Sequence, residues 1–359
     1  MKNIYFTPGP AELYFTVEFH VKTALKEQIP SVSHRSKVFQ SIYQQSVENL
    51  KSLLSIPEDY HVFFTASATE IWERIIQNNV ESHSHHYVNG SFSKRFMATA
   101  QDLNREVSVE YAEDGQRVLP QAENIPSDTE LIAFTLNETS TGVTQPLEEI
   151  YKITDAHPEK LIAVDAVSIM PISDIDYQKV DSVFFSVQKG FGLPAGLGVW
   201  ILSPRSVEKA HQLQAKGISI GTYHNIPALL EKGKKNQTPE TPNVLNIYLL
   251  AKVSSDMLER GIEKIRQETR YKASLMYHMV EEHPFMKPFV QDAAIRSPTV
   301  IVAETTISSL EVIQAMEKNN LLIGSGYGPY KQKHIRIANF PTHSKEQFEL
   351  LADKINEFR

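Results

Sequence analysis

The sequence contains no cysteine. Disulfides, thiolate metal sites and a cysteine nucleophile are therefore excluded. No apolar run of about 18 residues occurs, so no membrane-spanning helix is expected. The opening MKNIYFTPGPAELYF lacks the apolar stretch of a secretory signal, which leaves the cytoplasm as the expected location. Positive charge is not in excess either: 36 Lys and Arg against 43 Asp and Glu give a formal net charge of −7. That balance argues against a general nucleic-acid binder. Internal repeats and low-complexity tracts are also missing. What remains, 359 residues with 41% hydrophobic and 22% charged, is the make-up of a soluble globular chain of about two domains.

The most informative stretch is Asp181–Pro204, DSVFFSVQKGFGLPAGLGVWILSP. Two apolar runs, Val183–Phe185 and Leu197–Leu202, read as buried strands. Between them lie Ser186, Gln188, Lys189 and glycines at 190, 192 and 196. A lysine between buried strands is costly unless its amine reacts, and a lysine amine forms Schiff bases with carbonyls. The glycines would let a flat ligand come close to the backbone. A glycine-rich hairpin with a solvated lysine at its tip is the plain alternative. Upstream, LIAVD at 161–165 is another buried-strand pattern ending in Asp165, at the strand end where open α/β sheets collect ligand-binding groups. A lysine and a carboxylate at neighbouring strand ends form the pair pyridoxal phosphate needs: one holds the aldehyde, the other keeps the ring nitrogen protonated.

The rest of the chain supports an α/β protein. Strand patterns begin near residues 61, 85, 107, 131, 161, 183 and 198, interleaved with helical periodicity, which predicts a mostly parallel sheet with one antiparallel strand near the lysine loop. TPGP at 7–10 sets the N-terminal arm against another part of the molecule. His34 and Arg35 precede a helix and either bind an anion or form a surface pair. HVFFT at 61–65 runs into Ala66, Ser67, Ala68 and Thr69 and then a helix, whose N-terminus suits a phosphate. The run Glu81–His86, ESHSHH, invites a metal reading, but without a carboxylate pair it fits a solvated loop, and no metal site is expected. Phe92 opens a helix, as a core aromatic or as a surface for a flat ring. A long helical pattern from Val244 to Ile265 leads to a small α+β region with strands at Thr299–Ala303 and His334–Ile337, a glycine loop at 324–328 and a final helix capped by Ser344 and Gln347. Arg336, between two isoleucines, either salt-bridges across its sheet or grips a carboxylate.

Together these stretches resemble a family, the class V, fold-type-I pyridoxal phosphate enzymes, and within it the phosphoserine aminotransferases. The residues that carry the resemblance are FTPGP at 6–10, SHRSKVF at 33–39, NET at 137–139, VDAVS at 164–168, SVQKGFGLPAGLG at 186–198, TPN at 241–243 and IRIANF at 335–340. The resemblance implies a seven-stranded large domain over residues 15–252, a small domain from 1–14 and 253–359, and a homodimer with active sites at the subunit interface. It implies that Lys189 carries the internal aldimine, Asp165 pairs with the pyridine nitrogen and Phe92 stacks on the ring. Thr139 would approach the phenolic oxygen, and Ser67, Ala68, Gln188 and a neighbouring subunit's Thr241 would hold the phosphate. Arg336 would bind the substrate α-carboxylate, and His34 and Arg35 its distal anion. The implied activity is ping-pong transamination between phosphoserine and 2-oxoglutarate, a step of serine biosynthesis.

Three departures from the family pattern weaken the phosphate-substrate part. Ala66–Thr69 lacks the arginine often found in that turn, Pro329–Tyr330 stands where a His-Arg pair is frequent, and Glu240 replaces a usual asparagine. Serine or alanine transamination with pyruvate or glyoxylate is the rival activity, and a non-catalytic cofactor-binding relative is the other.

Overall fold

The computed structural model describes residues 2–358. In chain order the first half runs β1 (Ile4–Phe6), α1 (Val17–Lys26), α2 (Lys37–Leu54), β2 (His61–Thr65), α3 (Ala68–Asn79), β3 (His83–Val88), α4 (Ser91–Asp102), β4 (Glu106–Tyr111) and β5 (Leu131–Thr135). A short ribbon, β6 (Asn137–Glu138) with β7 (Val143–Thr144), leads to α5 (Leu147–Ala156), β8 (Leu161–Asp165), β9 (Ser182–Ser186), β10 (Gly198–Leu202), α6 (Pro204–Ala215) and α7 (Ile226–Gly233). The remainder is α8 (Val244–Arg260), α9 (Ile262–Glu282), β11 (Met286–Pro288), β12 (Val300–Thr305), α10 (Ser309–Glu317), β13 (Leu321–Ser325), β14 (His334–Ala338) and α11 (Lys345–Glu357).

The seven strands expected from the sequence form one sheet in the order β2-β10-β9-β8-β5-β3-β4. Only β10 runs against its neighbours. Strands β5, β8, β9 and β10 are buried along their whole length, because helices cover both faces of the sheet. Alternation along each strand divides the apolar side chains between two cores. Ile162 and Val164 join α2 and α8 residues such as Leu50 and Leu250 on one face. Leu161 and Ala163 join α3 and α4 residues such as Ile75 and Phe96 on the other.

The second sheet has the order β1-β13-β14-β12-β11. Its β1 comes from the N-terminal arm and pairs in parallel with β13, Ile4 opposite Leu321. Three of its strands, β1, β11 and β13, were not expected: each is short or leads straight into a glycine loop. The helix expected to run unbroken from Val244 to Ile265 is two helices. Gly261, at φ +85°, separates α8 from α9, a backbone conformation that costs glycine little. The expected capping box of α11 is present, with Ser344 and Gln347 bonded reciprocally at 3.2 and 2.9 Å.

The stretch Glu81–His86, expected as a solvated loop, is corrected by the structure. His83, His85 and His86 are buried in β3, between β4 and β5. Their rings find polar neighbours on the sheet itself: His85 Nδ1 is 2.8 Å from Ser108 Oγ, and His86 Nε2 is 2.9 Å from Ser84 Oγ. Burial pushes His85 down to about 4 and His86 to about 3. His343, stacked on Phe6 with ring centres 4.7 Å apart, is pushed to about 3, and His334 to about 4.

These four groups have depressed folded-state values, so between pH 6.5 and about 4 the unfolded chain takes up protons that the fold refuses. Stability is therefore fully present above pH 6.5 and falls on acidification, by about 1.4 kcal/mol per pH unit for each such histidine. Asp165, raised from the ordinary carboxylate range to about 6, binds a proton that the unfolded chain lacks, and so offsets about one proton between pH 6 and 4. We expect circular dichroism in urea to show a steep loss of stability between pH 6.5 and 4.5, shallower by about one proton in His86→Gln. A flat stability profile over this range would contradict neutral buried rings.

Candidate active site

Because six strands of the large sheet point one way, their carboxyl ends share one edge, and the turns there build a cavity of about 190 Å³. Lys189, Asp165, Phe92, Thr139, Gln188 and Ala68, all singled out from the sequence, line it together with Trp72, Asn137 and Gly9. Lys189 follows the end of β9 and is buried, its Nζ donating to the Pro8 carbonyl at 2.8 Å. The same Nζ is 3.5 Å from Thr139 Oγ1 and 5.7 Å from the centre of the Phe92 ring. Burial, helped by the cationic Arg336, brings the amine down to about 8, while Asp165 and Glu138 pull the other way. At pH 7.5 roughly a quarter of such amines are neutral, against about 0.1% for an ordinary lysine.

Gly190, next to Lys189, does not line the cavity, contrary to expectation. A Cβ on Gly190 would lie 1.9 Å from the Met170 carbonyl oxygen, so that glycine serves close chain packing. The glycine against the amine is Gly9 of the TPGP arm, where a Cβ would stand 3.0 Å from Lys189 Cε.

Asp165 ends β8 and is also buried. Trp72 Nε1 donates to its Oδ2 at 2.9 Å and the Val167 amide to its Oδ1 at 3.0 Å. Burial nevertheless outweighs these bonds and pushes the carboxyl up to about 6. A cation placed beside Asp165 would relieve that cost, which is what a protonated ring nitrogen offers.

Glu138 was passed over in the sequence except as a neighbour of Thr139. It is fully buried: Oε2 accepts from the Phe92 and Ser93 amides at the start of α4, and Oε1 from the Ser140 amide at 3.0 Å. The carboxylate complements the positive end of the helix. It also ties the Phe92 turn to the loop carrying Thr139. Arg336, on β14, donates from Nε to the Ser325 carbonyl at 2.8 Å and from Nη1 to the Thr139 carbonyl at 3.3 Å, beneath the Tyr327 ring. Its Nη2 has no protein partner among the described residues. Arg336 thus bonds to the loop that carries Thr139 and, among the described residues, pairs with no carboxylate across its sheet.

Of the sequence candidates, His34, Arg35, Ser67, Thr241 and Arg336 are not among the residues that line this cavity. Arg35 donates to Gln237 Oε1 and to the Thr238 and Pro239 carbonyls, with His34 beside it. Thr241 is exposed and lines a second cavity, of about 140 Å³, with Ala66 and Glu240. Ser67 caps α3 by accepting from the Glu70 amide at 3.2 Å, and the Ala68 amide donates to Ser186 Oγ at 3.0 Å. Trp72 and the Pro8 carbonyl were missed: the first looked like one more core position of α3, and the second is a backbone atom with no side-chain signature.

In the Lys189 cavity, Gln188 Oε1 and Thr135 Oγ1 are buried without hydrogen-bond partners. Unsatisfied buried polar atoms around an amine and a carboxylate suit a polar ligand. The arrangement fits pyridoxal phosphate. Among the described residues no cluster of His, Asp and Glu is placed to hold a metal ion, and no helix is long and apolar enough to cross a membrane.

The chain is similar to several known aminotransferases. A crystal structure of a phosphoserine aminotransferase from Cytophaga hutchinsonii is 52% identical, covers 99% of this chain and 98% of its own, and superposes with a TM-score of 0.96. A phosphoserine aminotransferase of Nocardioides sp. is 27% identical over 98% of this chain and 94% of its own. Ureidoglycine–glyoxylate aminotransferase from Bacillus subtilis shares the fold at 20% identity, with a TM-score of 0.85 over 99% of this chain and 92% of its own. The sequence profile of the class-V aminotransferases matches residues 16–330, and the chain belongs to that family.

Proposed function

We propose that this chain transfers the amino group of phosphoserine to 2-oxoglutarate in ping-pong order, with pyridoxal phosphate held at Lys189 and Asp165. The observation that carries the reading is the buried, readily deprotonated amine of Lys189 sharing one cavity with the buried Asp165 carboxylate, in a chain 52% identical to a phosphoserine aminotransferase. When bound, the cofactor supplies an aldehyde for the amine and a ring that accepts electrons. The protein's own groups do the rest. The Lys189 amine would be the base that takes the proton from the substrate Cα and later returns it as an acid. Thr139 and Pro8 hold that amine in place. Asp165, fixed by Trp72 and Val167, keeps a positive charge opposite it. Phe92 supplies an apolar wall, and the free edge of Arg336 takes the α-carboxylate.

In the same reading the protein is a cytoplasmic homodimer, with residues 15–252 as large domain and 1–14 with 253–359 as small domain. Thr241, His34 and Arg35 lie away from their own Lys189 cavity and would complete the partner's site, at the cofactor phosphate and the substrate's distal anion. Arg35 favours a second reading, transamination of serine or alanine, because three of its five N–H donors are already taken by Gln237, Thr238 and Pro239. Adding single amino acids to the holoprotein distinguishes the two. Phosphoserine and glutamate are expected to bleach the visible absorption of the bound cofactor. Bleaching by alanine or serine, with none by phosphoserine, would replace this proposal with the second reading.

A further inference from the structure

A buried histidine, His224, sits between two carboxylates on the far side of the turn that starts α3. Its Nδ1 is 2.6 Å from Glu70 Oε1 and its Nε2 is 2.8 Å from Glu240 Oε2. The residue is 2% exposed, with the Tyr223 ring 3.9 Å away between centres. A neutral imidazole has one N–H, so one of the two carboxylates would face a lone pair; the geometry calls for the imidazolium. The Glu240 contact is an off-line ion pair, since neither Nε2 nor Oε2 has an aligned hydrogen bond. The two carboxylates raise the ring to about 9 against the effect of burial.

Each carboxylate leads to a different phosphate-binding element: Glu70 to the turn beside this chain's own Lys189 cavity, and Glu240 to the Thr241 loop, assigned above to the partner's site. Glu70 accepts from the Ala66 amide at 2.9 Å, and its own amide is capped by Ser67, so it fixes the Ala66–Ala68 turn. Glu240 precedes Thr241, and its carbonyl accepts from Thr238 Oγ1 at 2.7 Å. His224, Ala66, Glu240 and Thr241 line one cavity. Other charged and titratable groups face this cluster. Arg74 stands beside Glu70 on α3 and donates to the Tyr223 carbonyl at 2.7 Å, Tyr43 faces Glu240 from α2, and His34 faces it from the turn before α2.

We propose that His224 is a positioning residue for cofactor phosphate binding, holding the Glu240 carboxylate against Glu70 so that the Thr241 loop can lie beside the phosphate dianion of the partner subunit's site. The inference rests on the cofactor reading above. Without the imidazolium, a bare carboxylate next to Thr241 would repel the phosphate. A raised folded-state value means that this contribution is complete below about pH 6.5 and is lost as pH rises through about 9.

The test is titration of the apoprotein with pyridoxal phosphate from pH 7 to 10, alongside melting of each apo variant. His224→Gln is expected to weaken binding about tenfold or more at pH 7.5, with the gap to the natural protein closing as pH passes 9. Adding Glu240→Gln to that variant is expected to restore binding, which a merely structural histidine would not allow. Should His224→Gln fail to fold, Glu240→Gln alone decides: it binds the cofactor at least as tightly as the natural protein, without the step near pH 9. Unchanged affinity in His224→Gln, a double variant no better than the single, or weakened binding in Glu240→Gln would each overturn the proposal. A natural protein that takes up no cofactor would instead remove the reading beneath it.

Discussion

Lys189→Ala is expected to yield a folded protein whose transaminase rate falls by about 10⁴-fold or more. The substitution removes two separate contributions of one amine. A positioned acid–base group is worth about 10²–10⁴ in rate, and covalent attachment of the carbonyl adds to that. The fold should tolerate the loss: the amine's contacts are with Pro8 and Thr139 at the wall of a cavity, not with a packed core. The Pro8 carbonyl left behind can be met by water entering that cavity. The measurement is phosphoserine-dependent glutamate formation at saturating pyridoxal phosphate, with thermal melting as the folding control. Retention of more than about 1% of the rate would mean that another base does the proton transfer.

Asp165→Asn is expected to cost about 10²–10³ in kcat, the size usual when one preorganised electrostatic group is removed from a site. The change keeps the shape and removes the charge. It also disturbs the hydrogen bonds, because Trp72 and Val167 both donate to the carboxylate, and an asparagine amide must turn an N–H₂ towards one of them. Its pH signature is specific. Asp165 titrates near 6, so cofactor uptake by the natural apoprotein should fall as pH drops through that value, and this limb should vanish in Asp165→Asn. An unchanged kcat, or an acid limb that survives the substitution, would show that position 165 carries no catalytic charge.

Most of the large sheet was legible because its strands are buried on both faces and so read as short apolar runs: LIAVD and SVFFS need no partner to be recognised. Lys189 and Asp165 were legible for the opposite reason, as charged residues at the ends of such runs. What could not be read depends on contacts distant in sequence. The strand near residue 85 was expected, but the polar run before it looked like a loop, and its burial depends on Ser84 and Ser108 standing beside the His86 and His85 rings. Gly190 is explained by the Met170 carbonyl, and the role of Trp72 by a carboxylate 93 positions downstream. His224 is a single histidine in an unremarkable loop until α3 and the Thr241 loop are brought to either side of it. Arg35 has the right chemistry for an anion, yet within one chain three of its donors close onto Gln237 and neighbouring carbonyls.

The N-terminal arm has a practical bearing on handling the protein. Ile4–Phe6 is an edge strand of the small sheet, while Pro8 and Gly9 form the seat of the reactive amine. Affinity tags or fusion partners joined at the front would tug on a segment fastened at both places, so a handle at the other terminus, beyond α11, is the safer choice for kinetic work.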